Sequence, residues 1–248
     1  MKVALTFDIE RDIPNVLDSY FGVKVGLSKI LALLDKFSLK CTFFCTGTVV
    51  KKFPEYIRSI EDKGHEIACH GLNHERLNKL TFNECQELIA YNRNILKETC
   101  QNSEIIGFRA PYLKPPKFLF AILHKLGFKY DSSIKSRKNP KLYKTYSYKI
   151  QEFTPLNISL RLPIGYFFLK NLILKKEIII LYFHPSEVID IKSLMLNENF
   201  KGKLFKDYLI RPDRWIKTGD SFLIKIENFI KEALSRKAEF VTIKQLIE

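Results

Sequence analysis

The sequence of 248 residues lacks a hydrophobic run long enough to cross a membrane. A membrane helix needs about 18 or more apolar residues in succession, and apolar runs here, such as residues 30–34 and 178–183, are far shorter. Low-complexity segments, repeats and linkers rich in proline or glycine are also missing, with only 10 glycines and 10 prolines in the chain. These absences exclude a membrane-spanning, fibrous or disordered protein, and they predict a single folded domain over residues 1–248.

Cysteines are few: the chain has 5, an odd number, without C-x-x-C spacing. This pattern excludes a disulfide framework of the kind that small secreted proteins use. Cys41 and Cys45 have even spacing within one predicted strand and share a face, where free thiols behave as small hydrophobic groups. We therefore expect buried free thiols, and we assign them no metal.

A signal peptide is also not apparent, because Asp8 lies where such a peptide would be apolar and no small-residue cleavage site follows. The sequence thus predicts a cytoplasmic protein.

Acidic residues are scarce relative to basic ones, 27 against 41, which gives a formal net charge of +14. Such a charge is compatible with nucleic acid, an anionic membrane surface or an acidic glycan as partner. The basic residues are spread along the chain without the signature of a nucleic-acid-binding module, so no nucleic acid is expected. A peripheral association with the inner membrane face stays open, beside the simpler alternative of a solvated, lysine-rich surface.

Hydrophobic patterns alternate between strand and helix along the chain. The predicted strands are residues 3–7, 41–45, 65–69, 104–108, 128–130, 176–183 and 239–242. The predicted helices are residues 23–37, 49–62, 81–97, 116–126 and 220–234. Residues 133–162 are less regular, and short strands near 148–153 and 156–160 are all that the pattern indicates there. The alternation is typical of a parallel α/β barrel whose site lies at the carboxyl ends of the strands.

Five predicted strands end in polar side chains, which barrel geometry would gather at one rim. They are Asp8 and Glu10, His70 and His74, Arg109, Asp131, and His184. Two imidazoles spaced four residues apart can bind one metal, with Zn–N distances of about 2.0–2.1 Å. A chance pair of surface histidines would have the same spacing, but three of the five histidines in the chain follow strands. The set predicts a hydrolytic metal site.

Five segments resemble, in order, the motifs of the polysaccharide deacetylases, which form carbohydrate esterase family four and share the NodB homology domain. The segments are Thr6-Phe7-Asp8-Ile9-Glu10, His70-Gly71-Leu72-Asn73-His74, Gly107-Phe108-Arg109-Ala110-Pro111-Tyr112, Tyr130-Asp131-Ser132-Ser133 and Tyr182-Phe183-His184-Pro185. The resemblance implies a distorted, incomplete (β/α)-barrel similar to a TIM barrel. It also implies metal-dependent hydrolysis that removes an N-acetyl group from an amino sugar.

Carried over to these positions, the resemblance makes Asp8 the general base and Glu10, His70 and His74 the ligands of a divalent metal, with zinc as the first candidate. The commonest family pattern has an aspartate directly after the base, where this chain has Ile9. Glu10 would have to serve instead, and residues two apart on a strand share a face. The alternative for Glu10 is a solvated loop carboxylate.

The resemblance also assigns the remaining motif residues. Arg109 would pair with and orient Asp8, and the Tyr112 backbone N–H, presented by Pro111, would stabilise the tetrahedral oxyanion. His184 would be the general acid and would donate a hydrogen bond to Asp131. A further set of aromatic residues could stack on a sugar ring or belong to the core: Tyr166, Phe167, Phe168 and Trp215.

The leading hypothesis is thus a deacetylase of an N-acetylated sugar in a glycan or glycolipid precursor. One alternative is a hydrolase of the same fold that cleaves a non-sugar C–N bond, as in a cyclic ureide or imide. Another is a catalytically silent module that binds a glycan or nucleic acid, since fold does not fix function.

Overall fold

The computed structural model describes residues 1–12, 19–135, 143–145, 148–156, 160–161, 177–196 and 216–247. Its strands form a single twisted sheet with the order β6-β7-β5-β4-β3-β2-β1-β8. The strands are β1 (Lys2–Ile9), β2 (Thr42–Cys45), β3 (Glu66–Cys69), β4 (Gly107–Phe108), β5 (Tyr130–Asp131), β6 (Tyr143–Thr145), β7 (Ile150–Glu152), β8 (Ile178–Phe183) and β9 (Glu239–Phe240).

The helices cover one face of this sheet. They are α1 (Leu27–Lys36), α2 (Gly47–Lys52), α3 (Pro54–Asp62), α4 (Phe82–Thr99), α5 (Leu119–Lys125), α6 (Ile191–Leu196) and α7 (Asp220–Ser235). Among the helices described, none combines the length and hydrophobicity that crossing a membrane requires.

Neighbouring strands are parallel except for β6 and β7, which pair antiparallel. Strand β9 adds to β1 beside Lys2 and Val3. The described strands therefore build an incomplete (β/α)-barrel, which confirms the predicted fold class.

Alternation along the strands sorts side chains between two compartments. Val3, Leu5 and Phe7 of β1 pack in the core beneath the helices, together with Cys41 and Cys45 as predicted. Ala4 of β1 and Phe44 of β2 instead belong to the barrel interior. The next even positions of β1 and its end are Thr6, Asp8 and Glu10, so the alternation directs these polar groups to the interior. All five cysteines are free and buried, as expected.

Helix boundaries differ from the predicted ones where local chemistry intervenes. The helix predicted over residues 49–62 is two helices, α2 and α3, because Pro54 lacks an N–H group and starts a new helix after Phe53. A π-helical turn, Gly22–Gly26, precedes α1. Helix α4 begins with a capping box between Thr81 and Glu84.

Several predicted strands are shorter in the structure. Only Gly107–Phe108 of residues 104–108 pairs with neighbours, and only Tyr130–Asp131 forms β5. Of the strand predicted near residues 156–160, the segment 157–159 lies outside the described residues. The aromatic candidates Tyr166, Phe167, Phe168 and Trp215 lie outside them as well.

Candidate functional site

Asp8 and Arg109 form a buried ion pair at the carboxyl ends of β1 and β4. Arg109 Nη1 donates to Asp8 Oδ1 at 2.7 Å, and the same nitrogen donates to Thr6 Oγ1 at 2.8 Å. The other oxygen, Asp8 Oδ2, faces His70 Nε2 at 3.8 Å and His184 Nε2 at 3.9 Å. One oxygen of Asp8 is thus held by the arginine, and the other is directed toward two histidines.

The guanidinium of Arg109 is completely buried. Its Nε donates to the backbone oxygen of Ser132 at 3.0 Å, and Nη2 donates to Ser132 Oγ at 2.8 Å. Its planar face lies over the Phe44 ring, 4.0 Å from the centroid. A buried charge needs such complete pairing, because an unpaired one would be strongly destabilising.

Glu10, His70 and His74 bring three metal-binding atoms together. Glu10 Oε2 lies 2.6 Å from His74 Nε2 and 3.3 Å from His70 Nε2. The ligating atoms of the three side chains all lie within 4.8 Å of one another. Glu10 is only 7% exposed, which excludes the alternative of a solvated loop carboxylate. Burial alone would raise the pKa of Glu10, but His74, His70 and His184 outweigh it and hold that pKa well below its usual range.

The His70 ring has a fixed tautomer in this arrangement. Its Nδ1 lies 2.8 Å from the backbone oxygen of Arg109, and a carbonyl oxygen can only accept, so Nδ1 carries the hydrogen. Nε2 therefore presents a lone pair toward Glu10 and His74. Histidines that bind metals are oriented by a second hydrogen bond of this kind.

A tight loop after β3 carries His70 to His74. Gly71 has φ +74°, and a Cβ there would meet the Pro111 ring at 3.0 Å, so both backbone and packing require glycine. His74 has φ 57° and packs its ring against Tyr112, with centroids 4.2 Å apart. Tyr112 itself has φ 60°, a conformation that is uncommon and costly outside glycine. The loop thus brings Pro111 and Tyr112 against the histidine pair.

The donor set fits a divalent metal. Within the described part of the chain, Glu10 Oε2 and His74 Nδ1 are buried without a hydrogen-bond partner. Glu10 Oε2 nevertheless lies close to the Nε2 atoms of His70 and His74. The three atoms are therefore near one another, but their angles are not those of hydrogen bonds. One carboxylate and two imidazoles are a common ligand set for zinc, and they leave room for a water and a substrate.

His184 follows β8 and faces the same carboxylates. Its Nε2 lies 3.7 Å from Glu10 Oε1, and its side chain is 32% exposed. Burial alone would lower the pKa of His184, but Glu187, Glu10 and Asp8 raise it to about 9. Of the three histidines at the site, His184 has the most exposed side chain, as access to a substrate requires.

Asp131 does not accept a hydrogen bond from His184, which corrects the expectation from the motif pattern. Its Oδ1 accepts from Ser133 Oγ at 2.6 Å, and Oδ2 accepts from the Ser133 backbone N–H at 3.2 Å. Asp131 belongs to β5, and four strands separate β5 from β8 in the sheet. Ser133 Oγ in turn accepts from the Ala110 backbone N–H at 2.7 Å, so Asp131 supports the loop after β4.

The carboxylate beside His184 Nδ1 is Glu187, at 3.6 Å. Glu187 was not predicted as a site residue, although the sequence contains a signal for it. In His-Pro-x-Glu, the glutamate has the spacing at which its side chain reaches back to the residue that begins a helical turn. The other residues missed were Ser132 and Ser133, which anchor Arg109 and Asp131.

Known proteins resemble this chain over part or all of its length. A family model described as polysaccharide deacetylase matches residues 1–130, slightly more than half of the chain. A peptidoglycan deacetylase from Helicobacter pylori is 30% identical over 114 residues, which are 46% of this chain and 39% of that protein. The chain therefore matches well under half the length of this relative.

Two solved structures share the fold. A peptidoglycan N-acetylglucosamine deacetylase aligns with 98% of this chain and 86% of its own, at a TM-score of 0.60 and 18% identity. The Puue allantoinase aligns with 97% of this chain and 87% of its own, at a TM-score of 0.71 and 13% identity. Identities this low establish the architecture alone. With the family model matching more than half of it, the chain belongs to the polysaccharide deacetylase family.

Proposed function

We propose that this protein, as one catalytic domain over residues 1–248, removes an N-acetyl group from an amino sugar of a glycan or glycolipid precursor. One observation carries the proposal: Asp8, held by Arg109, faces His70 and His184, and Glu10 faces the same two histidines together with His74. Such an arrangement would provide a base, an acid and a set of metal ligands around one space.

Glu10, His70 and His74 would hold a divalent cation, with zinc as the first candidate. When bound, it would polarise the acetyl carbonyl as a Lewis acid and lower the pKa of water.

The side chains perform the proton transfers of the proposed reaction. Asp8 accepts a proton from the attacking water through Oδ2, because Oδ1 is engaged by Arg109. The water oxygen bonds to the acetyl carbon, and the C–N bond breaks. His184 Nε2 gives a proton to the leaving nitrogen, so the products are acetate and a free amine. The Tyr112 backbone N–H is the proposed donor to the oxyanion.

The substrate class is supported by the relatives, whose names specify peptidoglycan as the substrate. The formal charge of +14 would suit anionic carriers such as pyrophosphate-linked sugars, or an anionic inner membrane surface. A cytoplasmic place of action, on a precursor rather than on finished polymer, is part of the same proposal. Exclusive activity on extracellular polymer, compared with lipid-linked precursor in one assay, would contradict that part.

The first experiment is elemental analysis of the purified full chain beside the His70→Ala, His74→Ala double variant. We expect about one zinc or similar ion per chain in the wild type and its loss in the variant. Acetate release from N-acetylated sugars and ring opening of a cyclic ureide are then measured on both. Wild-type protein that binds no metal with zinc in excess, or that hydrolyses the ureide alone, would overturn the proposal.

Asp8→Asn separates catalysis from metal binding. We expect this variant to keep the metal and to lose activity by about 10²–10⁴-fold, since a general base contributes that much. The exposed Glu55→Gln on α3 is the matched control for loss of one carboxylate charge. Unchanged activity in Asp8→Asn would show that Asp8 is not the general base.

A further inference from the structure

Glu187 contacts His184 at two points. His184 ends the extended segment of β8, and Glu187 is the third residue of the following 3₁₀ turn, Pro185–Val188. The backbone N–H of His184 donates to Glu187 Oε2 at 2.9 Å, and the same oxygen lies 3.6 Å from Nδ1 of the His184 ring. The carboxylate therefore stands behind the ring, on the side away from Asp8 and Glu10.

The second oxygen of Glu187 is held by a cation. Arg161 Nε lies 2.9 Å from Glu187 Oε1, and the two side chains are only 12% and 16% exposed. Arg161 is tied to the chain before α7, because its Nη1 donates to the backbone oxygen of Ile216 at 3.3 Å. The backbone oxygen of Glu187 also accepts from Gly219 N–H at 2.9 Å. Both carboxylate oxygens of Glu187 and its backbone oxygen therefore have partners that hold the residue in place.

The ring orientation of His184 follows from these contacts. With the Glu187 carboxylate 3.6 Å from Nδ1, a hydrogen on Nδ1 faces a negative charge, and Nε2 turns toward Asp8 Oδ2 and Glu10 Oε1. Motif comparison assigned this part to Asp131, but that carboxylate is engaged by Ser133. Among the carboxylates described, Glu187 is the one that faces Nδ1.

We propose that Glu187, held by Arg161, is the positioning residue that orients His184 for proton donation to the leaving nitrogen. The inference rests on the proposed function, because it assigns His184 the acid's role. It predicts that Glu187 matters most when the leaving group needs a proton.

The test measures the activity of Glu187→Gln on two substrates. This substitution keeps the shape of the side chain and an oxygen that can accept from the His184 backbone N–H, but it removes the negative charge. An N-acetyl sugar has an amine leaving group that requires protonation. In an aryl acetate such as 4-nitrophenyl acetate, the leaving group is 4-nitrophenolate, which departs without a proton. We expect kcat on the N-acetyl sugar to fall by about 10- to 10²-fold, less than the loss for removing a general acid. KM, metal content and kcat on the aryl acetate should change less than about threefold. Glu187→Asp should recover part of the kcat that Glu187→Ala loses.

Equal losses on both substrates would indicate a merely structural role and would overturn the inference, as would an unchanged kcat on the N-acetyl sugar. A second readout does not depend on turnover: ¹⁵N NMR of the His184 ring in the wild type and in Glu187→Gln. We expect hydrogen on Nδ1 in the wild type and a changed ring signal in the variant, with Glu55→Gln as control. An unchanged ring signal would also overturn the inference. Wild-type protein inactive on every N-acetyl sugar would refute the proposed function, while the NMR comparison would still decide the role of Glu187.

Discussion

The backbone oxygen of Arg109 accepts a hydrogen bond from His70 Nδ1 at 2.8 Å, while the side chain of the same arginine holds Asp8 at 2.7 Å. One residue therefore orients both a candidate metal ligand and the candidate base. Its two roles use different parts of the residue, backbone and side chain, so substitution can separate them.

Arg109→Lys should keep the metal and lose activity. The backbone bond to His70 persists, but a lysine cannot reproduce the forked contacts to Thr6, Asp8 and Ser132. We expect kcat/KM to fall by about 10²-fold, the effect of misplacing a catalytic group by about 1 Å. Metal content and activity are measured together, with the exposed Arg58→Lys on α3 as control. Loss of metal in Arg109→Lys would contradict the division of roles.

Glu10→Asp should weaken metal binding. Glu10 Oε2 reaches to 2.6 Å from His74 Nε2 from a position two residues after the base, and the shorter side chain withdraws that oxygen by one methylene. We expect affinity for zinc to fall by at least about 10-fold, measured by competition with a chromogenic chelator. Equal affinity in the wild type and in Glu10→Asp would show that Glu10 does not complete the site.

Glu152→Gln should make stability less dependent on pH. Glu152 and Asp131 are opposite each other on β7 and β5 and completely buried. Burial and the neighbouring Asp131 carboxylate raise the pKa of Glu152 well above its ordinary value of 4.5, so the folded state keeps a proton there that the unfolded state releases. The free energy of unfolding of the wild type should therefore decrease as pH rises above that value, by up to about 1.4 kcal/mol per pH unit.

The glutamine variant carries the neutral form at every pH. Urea unfolding of metal-free protein at about pH 5 and about pH 8 should therefore show a smaller difference for Glu152→Gln than for the wild type. Parallel pH profiles for the two proteins would mean that Glu152 is ionised in the fold.

Gly26→Ala should disturb His184 without touching the metal ligands. A Cβ at Gly26 would collide with the backbone oxygen of Pro185 and lie 3.3 Å from Val188 Cγ2. We expect a loss of stability of about 1–3 kcal/mol and reduced kcat with full metal content. The exposed Ser28→Ala on α1 is the control. An unchanged kcat would show that the turn after β8 can shift away from residue 26 without displacing His184.

The order of strands and the polar residues at their ends were predictable because both follow from local patterns. Period-2 and period-3.6 hydrophobicity indicates which segments are strands and helices, and Asp8, His70, Arg109 and His184 directly follow predicted strands. The partner of His184 was not predictable in the same way. Asp131 and Glu187 are both carboxylates near strand ends, and the motif resemblance favoured Asp131, whereas the local turn after β8 brings Glu187 beside Nδ1.

Strand lengths were overestimated for a related reason. Residues 104–106 have strand-like composition, yet Glu104 turns outward to Lys244 at 3.0 Å and only Gly107–Phe108 enters the sheet. A hydrophobic pattern reports burial, whereas a strand also needs a neighbour at the same register.

Strand β1 carries Asp8 and ends directly before Glu10, yet two of the strands that pair with it, β8 and β9, come from the far end of the chain. During synthesis the base and the three candidate ligands leave the ribosome well before the strand that brings His184. Contacts so distant in sequence slow folding, because a long loop must close before they form. The site residues that follow β1 to β4 therefore lack His184 until β8 pairs with β1. The rate of barrel assembly then sets when a nascent chain could first become active.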